Sequence, residues 1–307
     1  MYTRAPMRKL NTLFLMLLVN FGILLTLSFV LRVTGLERYL AANGMGYQGL
    51  AIFCMIFGMG ASFISLLLSK RLVKWRMKIQ LVDSTHINPD ARRLFEMVRH
   101  LSLKAGLPKT PEVGIYESPE VNAFATGASK DDSLVAVSTG LIAAMKWEEV
   151  EGVLGHEIAH IANGDMVRMT LLQGVMNALV MFVSRIAAQI VLSAMRGDRD
   201  ERRGGNFFMH FMIVQLFEVV LGLFGMIVVN SYSRYREFRA DQGGADLAGR
   251  QKMISALQAL QTRIEFVDKG RPDLATMKIS SGRTGVLSKL FSTHPPLSER
   301  IAALQSS

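Results

Sequence analysis

The chain reads as long uncharged apolar runs separated by shorter segments of mixed polarity. Residues 10–31 and 39–69 carry no charged side chain, and the apolar heart of the second run extends from Leu50 to Leu68. A hydrocarbon core about 30 Å thick takes roughly 20 helical residues to cross, so each run predicts a transmembrane helix. A cleaved signal peptide fits the first run poorly: the run is too long, and no small-residue cleavage site precedes the Thr34-Gly35-Leu36 turn. Two later runs are less clean. Residues 169–195 hold one charge, Arg185, and residues 204–233 hold Glu218 together with His210. Their length favours spanning; the alternative is an apolar helical hairpin lying partly in the membrane or packed on the protein. Arg185 and Glu218 fall at matching depths on the two arms. A lone charge inside a bilayer is costly, so the two are expected to face one another.

Between these runs the period changes. Residues 85–107 read as a helix with Pro89 near its start, and Gly106-Leu-Pro-Lys-Thr-Pro111 breaks it. Val113–Tyr116, Val121–Ala125 and Leu134–Ser138 are short strand candidates set off by Ser-Pro and Lys-Asp-Asp turns. Residues 250–277 predict a further helix, with an apolar stripe through Met253, Leu257, Leu260, Ile264 and Phe266. Lys278–Gly285 reads as a loop, and a short helix follows Pro296. The expected organisation is an N-terminal transmembrane hairpin (1–75), a first soluble part (76–168), a second apolar hairpin (169–233) and a C-terminal soluble part (234–307).

Composition and charge add an orientation. Half of the residues are hydrophobic and the formal net charge is +10. Arg4, Arg8 and Lys9 precede the first run; Lys70, Arg71, Lys74, Arg76 and Lys78 follow the second. The positive-inside rule then puts the N-terminus and the chain after residue 70 in the cytoplasm. The turn Arg196–Gly205 holds four arginines, which sits badly with an outside location, although three acids nearly balance them. Basic residues beside a bilayer favour anionic headgroups. No nucleic-acid recognition motif accompanies the charge, so no nucleic-acid partner is expected. The single cysteine, Cys54, lies in the second apolar run and leaves no disulfide within the chain. No glycine-rich nucleotide motif is visible, so no ATP-driven unfoldase is encoded.

The chemistry is concentrated in His156-Glu157-Ile158-Ala159-His160. Positions four apart share a helix face, so both imidazoles can reach one metal ion. Glu157 stands where it can act on a water at that metal, as in the H-E-x-x-H pattern of zinc peptidases. Asn163-Gly164 supplies an end or kink for the helix. A catalytic zinc takes three protein ligands and keeps a position open. Glu237 and Asp241 are again four apart: Glu237 can complete the ligand set, and Asp241 can hydrogen-bond the far nitrogen of a ligating histidine. The alternative is a solvated face on which Glu237 pairs with Arg234 or Arg236. With both histidines in place, the ligand reading is preferred, for one Zn2+ per chain. The second apolar hairpin begins just after the first ligand pair and ends just before Glu237, so its closure would bring the ligands together near the cytoplasmic membrane surface.

The segment Gly155-His-Glu-Ile-Ala-His-Ile-Ala-Asn-Gly-Asp165, with Arg236-Glu-Phe-Arg-Ala-Asp241, resembles the HtpX family of membrane-bound zinc metalloproteases, gluzincins related to the CAAX prenyl endopeptidases. Asn122–Gly127, Leu134–Gly140 and Thr293–Arg300 carry the same resemblance, which covers nearly the whole chain. It implies a mainly α membrane protein of about four transmembrane helices, with a cytoplasmic α+β zincin-like domain holding a small sheet. It implies a multi-pass protein of the bacterial inner membrane that cleaves misfolded or damaged membrane proteins in stress-linked quality control, and self-cleavage on solubilisation. It assigns substrate binding to the strand at Asn122, Ala123, Phe124 and Ala125. It also places His294 and Arg300 at the active site, stabilising the oxyanion or capping the zinc in a latent state. His86, His100 and His210 have no such context and are read as structural. Two other classes compete: a zinc-bound scaffold without hydrolysis, which the intact Glu157 disfavours, and a transporter, suggested by charges within apolar runs.

Overall fold

The computed structural model describes residues 46–195, 206–269 and 290–306. The apolar run 10–31, the turn Arg196–Gly205 and the loop Lys278–Gly285 lie outside the described residues. Among the described residues, three helices are long and apolar enough to cross a membrane: α1 (Gly46–Arg76), α5 (Asp165–Met195) and α6 (Asn206–Ala248). Contacts divide the described residues into two units, 46–62 with 171–228, and 63–170 with 229–306.

The first unit is helical. Phe53 and Cys54 of α1 pack with Met181 of α5, and the rings of Phe53 and Phe57 stack at 4.2 Å. Ile56, Ile190, Leu216 and Phe224 point outward, which suits a lipid-facing surface. Arg185 and Glu218 meet as expected: Nη1 lies 3.0 Å from Oε1, and both side chains are buried. Gln215 Nε2 donates to the other carboxylate oxygen at 3.1 Å, and Arg185 also donates to the Met181 carbonyl. The two charges of the apolar runs thus join α5 to α6 instead of meeting lipid.

The second unit is α+β. Its four strands are β1 (Gln80–Val82), β2 (Glu112–Tyr116), β3 (Ala123–Gly127) and β4 (Ser133–Ser138), in the order β1-β2-β4-β3. β2 and β4 run parallel; β1 and β3 pair antiparallel on the outside. β4 is buried on both faces, and its side chains alternate between two clusters. Val135 and Val137 pack with Leu94, Val98 and Leu101 of α2 (Pro89–Lys104) and with Leu154, Ile158 and Ile161 of α4 (Trp147–Asn163). Leu134 and Ala136 face Tyr116 and Phe124 on the other side. α3 (Thr139–Ala144) links β4 to α4; α7 (Arg250–Lys269) packs on α4, and α8 (Leu297–Ser306) packs on α7.

Several boundaries differ from the sequence expectation. The helix predicted over 85–107 begins at Pro89, because the Asn88 side chain caps it by accepting from Asp90 N. The strand predicted at Val121–Ala125 lies two residues later, at Ala123–Gly127. Asn122 is spent on the bend before it, with its N–H on Ser138 Oγ and its carbonyl accepting from Ser138 N. The apolar run 204–233 and the Glu237 helix are one continuous helix, α6. Two of the basic residues after the second run also turn inward: Lys70 bonds Asp132 and Glu112, and Lys74 bonds Glu112 at 2.9 Å.

Candidate metal centre

α4 carries the first two candidate ligands. Glu149 begins it by accepting from the Lys146 N–H at 2.9 Å. Gly164 ends it in the left-handed conformation, φ 66°, where a side chain would be strained. The reversal starts α5 at Asp165, whose carboxylate folds back toward His160. α6 carries Glu237 and Asp241, and its apolar run ends at Ser233, so both lie beyond it. α4 and α6 approach through glycines: a Cβ on Gly244 would come within 2.9 Å of the His156 backbone nitrogen, and one on Gly155 within 3.1 Å of the Gly244 carbonyl oxygen. That close crossing brings Glu237 and Asp241 to the two histidines.

His156 Nε2 lies 3.1 Å from His160 Nε2 and 3.6 Å from Glu237 Oε2; His160 Nε2 lies 3.4 Å from Glu237 Oε1. Ligands about 2.0–2.1 Å from a tetrahedral zinc are roughly 3.3 Å apart, so these separations fit one such ion. The far nitrogens are engaged. His156 Nδ1 is 2.9 Å from Asp241 Oδ1, and His160 Nδ1 is 2.7 Å from Asp165 Oδ2. With Nδ1–H donating to a carboxylate, each ring turns the lone pair of Nε2 to the centre. Among the described residues, Glu237 Oε1 is buried without a hydrogen-bond partner, and it lies on the His160 Nε2 side of the carboxylate. The donor set therefore fits a metal.

Each supporting carboxylate is held in turn by an arginine. Arg300 grips Asp241 through Nε at 2.7 Å and Nη2 at 2.5 Å, and its Nη1 is 3.4 Å from Glu237 Oε2. Arg239 Nη2 bonds Asp165 Oδ1 at 2.9 Å. Burial presses the His156 pKa down, but the Asp241 and Glu237 carboxylates outweigh it and raise it to about 9. For His160, burial again acts downward, and Asp165 and Glu237 lift it above its ordinary value. Burial pushes Glu237 up, yet His156, His160 and His294 hold it well below the carboxylate range. Asp241 is likewise lowered against burial by Arg300 and His156. Metal binding at these rings therefore competes with protons.

The remaining expected residues are placed as follows. Glu157 is partly exposed on α4, and its side chain makes no hydrogen bond or ion pair among the described residues. His294 projects to solvent, 60 % exposed, with Nδ1 3.0 Å from Glu237 Oε2. Arg300 is buried against Asp241 and Glu237. Ala123, Phe124 and Ala125 lie on β3, an outer strand of the sheet that packs beside α4, and Asn122 precedes it. Arg236 approaches Glu237 at 3.8 Å, whereas Arg234 turns to the carbonyls of Leu290 and Ser292. Sequence reasoning missed Asp165 and Arg239; the signal was an acid directly after the Asn163-Gly164 helix end.

The profile of peptidase family M48 matches residues 88–307. A protease HtpX homolog of Bacillus licheniformis is 46 % identical over 301 residues, covering 96 % of this chain and 98 % of its own. A protease HtpX homolog of Methylacidiphilum infernorum is 47 % identical over 298 residues (95 % and 97 %). Protease HtpX of Xanthomonas campestris pv. campestris is 46 % identical over 301 residues (97 % and 98 %). Among solved structures, Ste24p of S. mikatae shares the fold with a TM-score of 0.59 at 18 % identity; the match covers 91 % of this chain and 66 % of that one. Identity at this level along nearly the full chain leaves little room for another lineage: the chain belongs to peptidase family M48, as an HtpX-type membrane metalloprotease.

Proposed function

We propose that the chain is a zinc-dependent endopeptidase of the bacterial inner membrane, its catalytic part facing the cytoplasm, that cleaves misfolded or damaged membrane proteins in stress-linked quality control. The observation that carries the zinc reading is the triangle of His156 Nε2, His160 Nε2 and Glu237 oxygens at 3.1–3.6 Å, with both Nδ1 atoms held by carboxylates. Two imidazoles and one carboxylate suit zinc and leave a position open. The ion, when bound, supplies Lewis acidity to the scissile carbonyl and acidifies water.

The chain's own residues do the rest. Glu157 takes the proton of the attacking water and returns it to the leaving amine. Its place in the helix, between the two histidines of α4, keeps it next to the ligands. The outer edge of β3, entered at Asn122 and running through Ala123, Phe124 and Ala125, pairs with an extended peptide and aligns its backbone. His294, exposed beside Glu237, donates to the oxyanion of the tetrahedral intermediate. Arg300 is a positioning residue: it holds Asp241, which orients His156. The basic residues around the apolar runs support a cytoplasmic site. Cleavage of casein by the purified full chain tests the reading. Activity should vanish with a chelator and return with added Zn2+; chelator-resistant cleavage would refute it.

A further inference from the structure

His294 presents a positional problem. A ring that is 60 % exposed is not held by packing, yet its Nδ1 meets Glu237 Oε2 at 3.0 Å. Its place must come from the backbone on either side. After it stand Pro295 and Pro296, which fix φ and lead into α8. Before it, three successive carbonyls are captured by α6. Asn230 Nδ2 donates to Phe291 O at 3.1 Å. Arg234 Nη1 donates to Leu290 O at 3.3 Å and Ser292 O at 2.8 Å, and its Nη2 bonds Ser231 Oγ at 2.8 Å. Ser292 Oγ then donates to His294 O at 3.1 Å.

The donors are not scattered. Asn230, Arg234, Glu237 and Asp241 follow one another at spacings of four, three and four, so they form one stripe along α6. The stripe grips the 290–292 backbone at one end, presents a ligand candidate in the middle and orients His156 at the other. Asn230 is buried, so its amide needs an acceptor, and the Phe291 carbonyl is that acceptor.

We propose that Asn230 and Arg234 are positioning residues that clamp the 290–292 backbone onto α6 and so set His294 against the site. This rests on the reading of His294 as an oxyanion donor. An exposed donor works only if its backbone is fixed, since misplacement by about 1 Å can cost on the order of a hundredfold in rate. The clamp acts on turnover through His294, while the metal ligands keep their own supports.

The test is steady-state cleavage of a fluorogenic casein by the full chain in detergent, with zinc content measured alongside. Arg234→Ala should lower kcat by about tenfold or more, with KM within about threefold and zinc retained. Arg234→Lys, which keeps one donor group, should recover part of the loss. In a His294→Ala background, Arg234→Ala should cost nothing further, because the group it positions is gone. The same full loss in both backgrounds, with His294→Ala itself impaired, would overturn the clamp and leave the His294 reading intact. Normal turnover by His294→Ala would overturn both. If Arg234→Ala does not fold, Asn230→Ala removes one hydrogen bond and is read by the same cycle.

Discussion

Asp165→Ala should separate metal affinity from stability, and its comparison with Asp241→Ala tests the roles of the two carboxylates. Asp165 accepts from His160 Nδ1 at 2.7 Å and is paired to Arg239 at 2.9 Å. Removing it frees the ring to rotate and to change tautomer. Losing such a support typically costs 10–100-fold in metal affinity, about 1.4–2.7 kcal/mol. The partner left behind decides the stability cost. Arg239 is about one-third exposed (34 %) and can turn to water, so the metal-free protein should lose only about 1–3 kcal/mol, from the stranded His160 N–H. Asp241→Ala leaves Arg300, 8 % exposed, with its Nε and Nη2 donors buried and unpaired and only the 3.4 Å approach of Nη1 to Glu237, at a cost of up to about 3–5 kcal/mol. The assays are zinc competition against a chelator and thermal unfolding of the metal-free forms. Unchanged zinc affinity in Asp165→Ala would refute the support role, and equal unfolding losses would refute the burial argument.

Glu237→Ala should weaken zinc binding more than Asp241→Ala, since it deletes a ligand where the other loosens one; equal, full zinc occupancy of both under competing chelator would refute the assignment. Removing either Arg185 or Glu218 should destabilise the protein in detergent, and Arg185→Glu with Glu218→Arg should restore part of the loss; a swap no better than the single variants would show that the 3.0 Å pair is not what joins α5 to α6. His156, raised to about 9 without metal, favours folding fully below its unfolded value near 6.5. The metal-free protein should therefore lose up to about 3 kcal/mol between pH 6.5 and 9, a slope absent when zinc holds the ring; chemical denaturation across that window checks it.

The parts of the site that share a helix were legible from spacing alone. His156 with His160, and Glu237 with Asp241, lie four apart, and helical geometry turns that number into a common face. Asp165 was not legible that way. It reaches His160 across a left-handed glycine, and no period links residues on either side of a reversal. Arg239, behind Asp165, was equally hidden, because a charged residue near others reads as a solvated face until the fold pairs it, whereas Arg300 was marked only by the family resemblance. α6 was divided at Ser233 for a physical reason. The apolar pattern reports surroundings, and these change where the backbone helix does not. β1 and α3, three and six residues long, are too short to show a period. Arg185 and Glu218 stood out because charge is rare in an apolar run, and matching depth was enough to pair them.

In the proposed reaction Glu157 moves the proton, and His156, His160 and Glu237 hold zinc. Zinc content and casein turnover of Glu157→Gln, measured on one preparation, test it most directly. The amide keeps the size of the side chain but cannot accept a proton. One zinc per chain, with turnover reduced on the order of a hundredfold or more, is the expected result. Turnover at the level of the unaltered chain would mean that Glu157 is not the base.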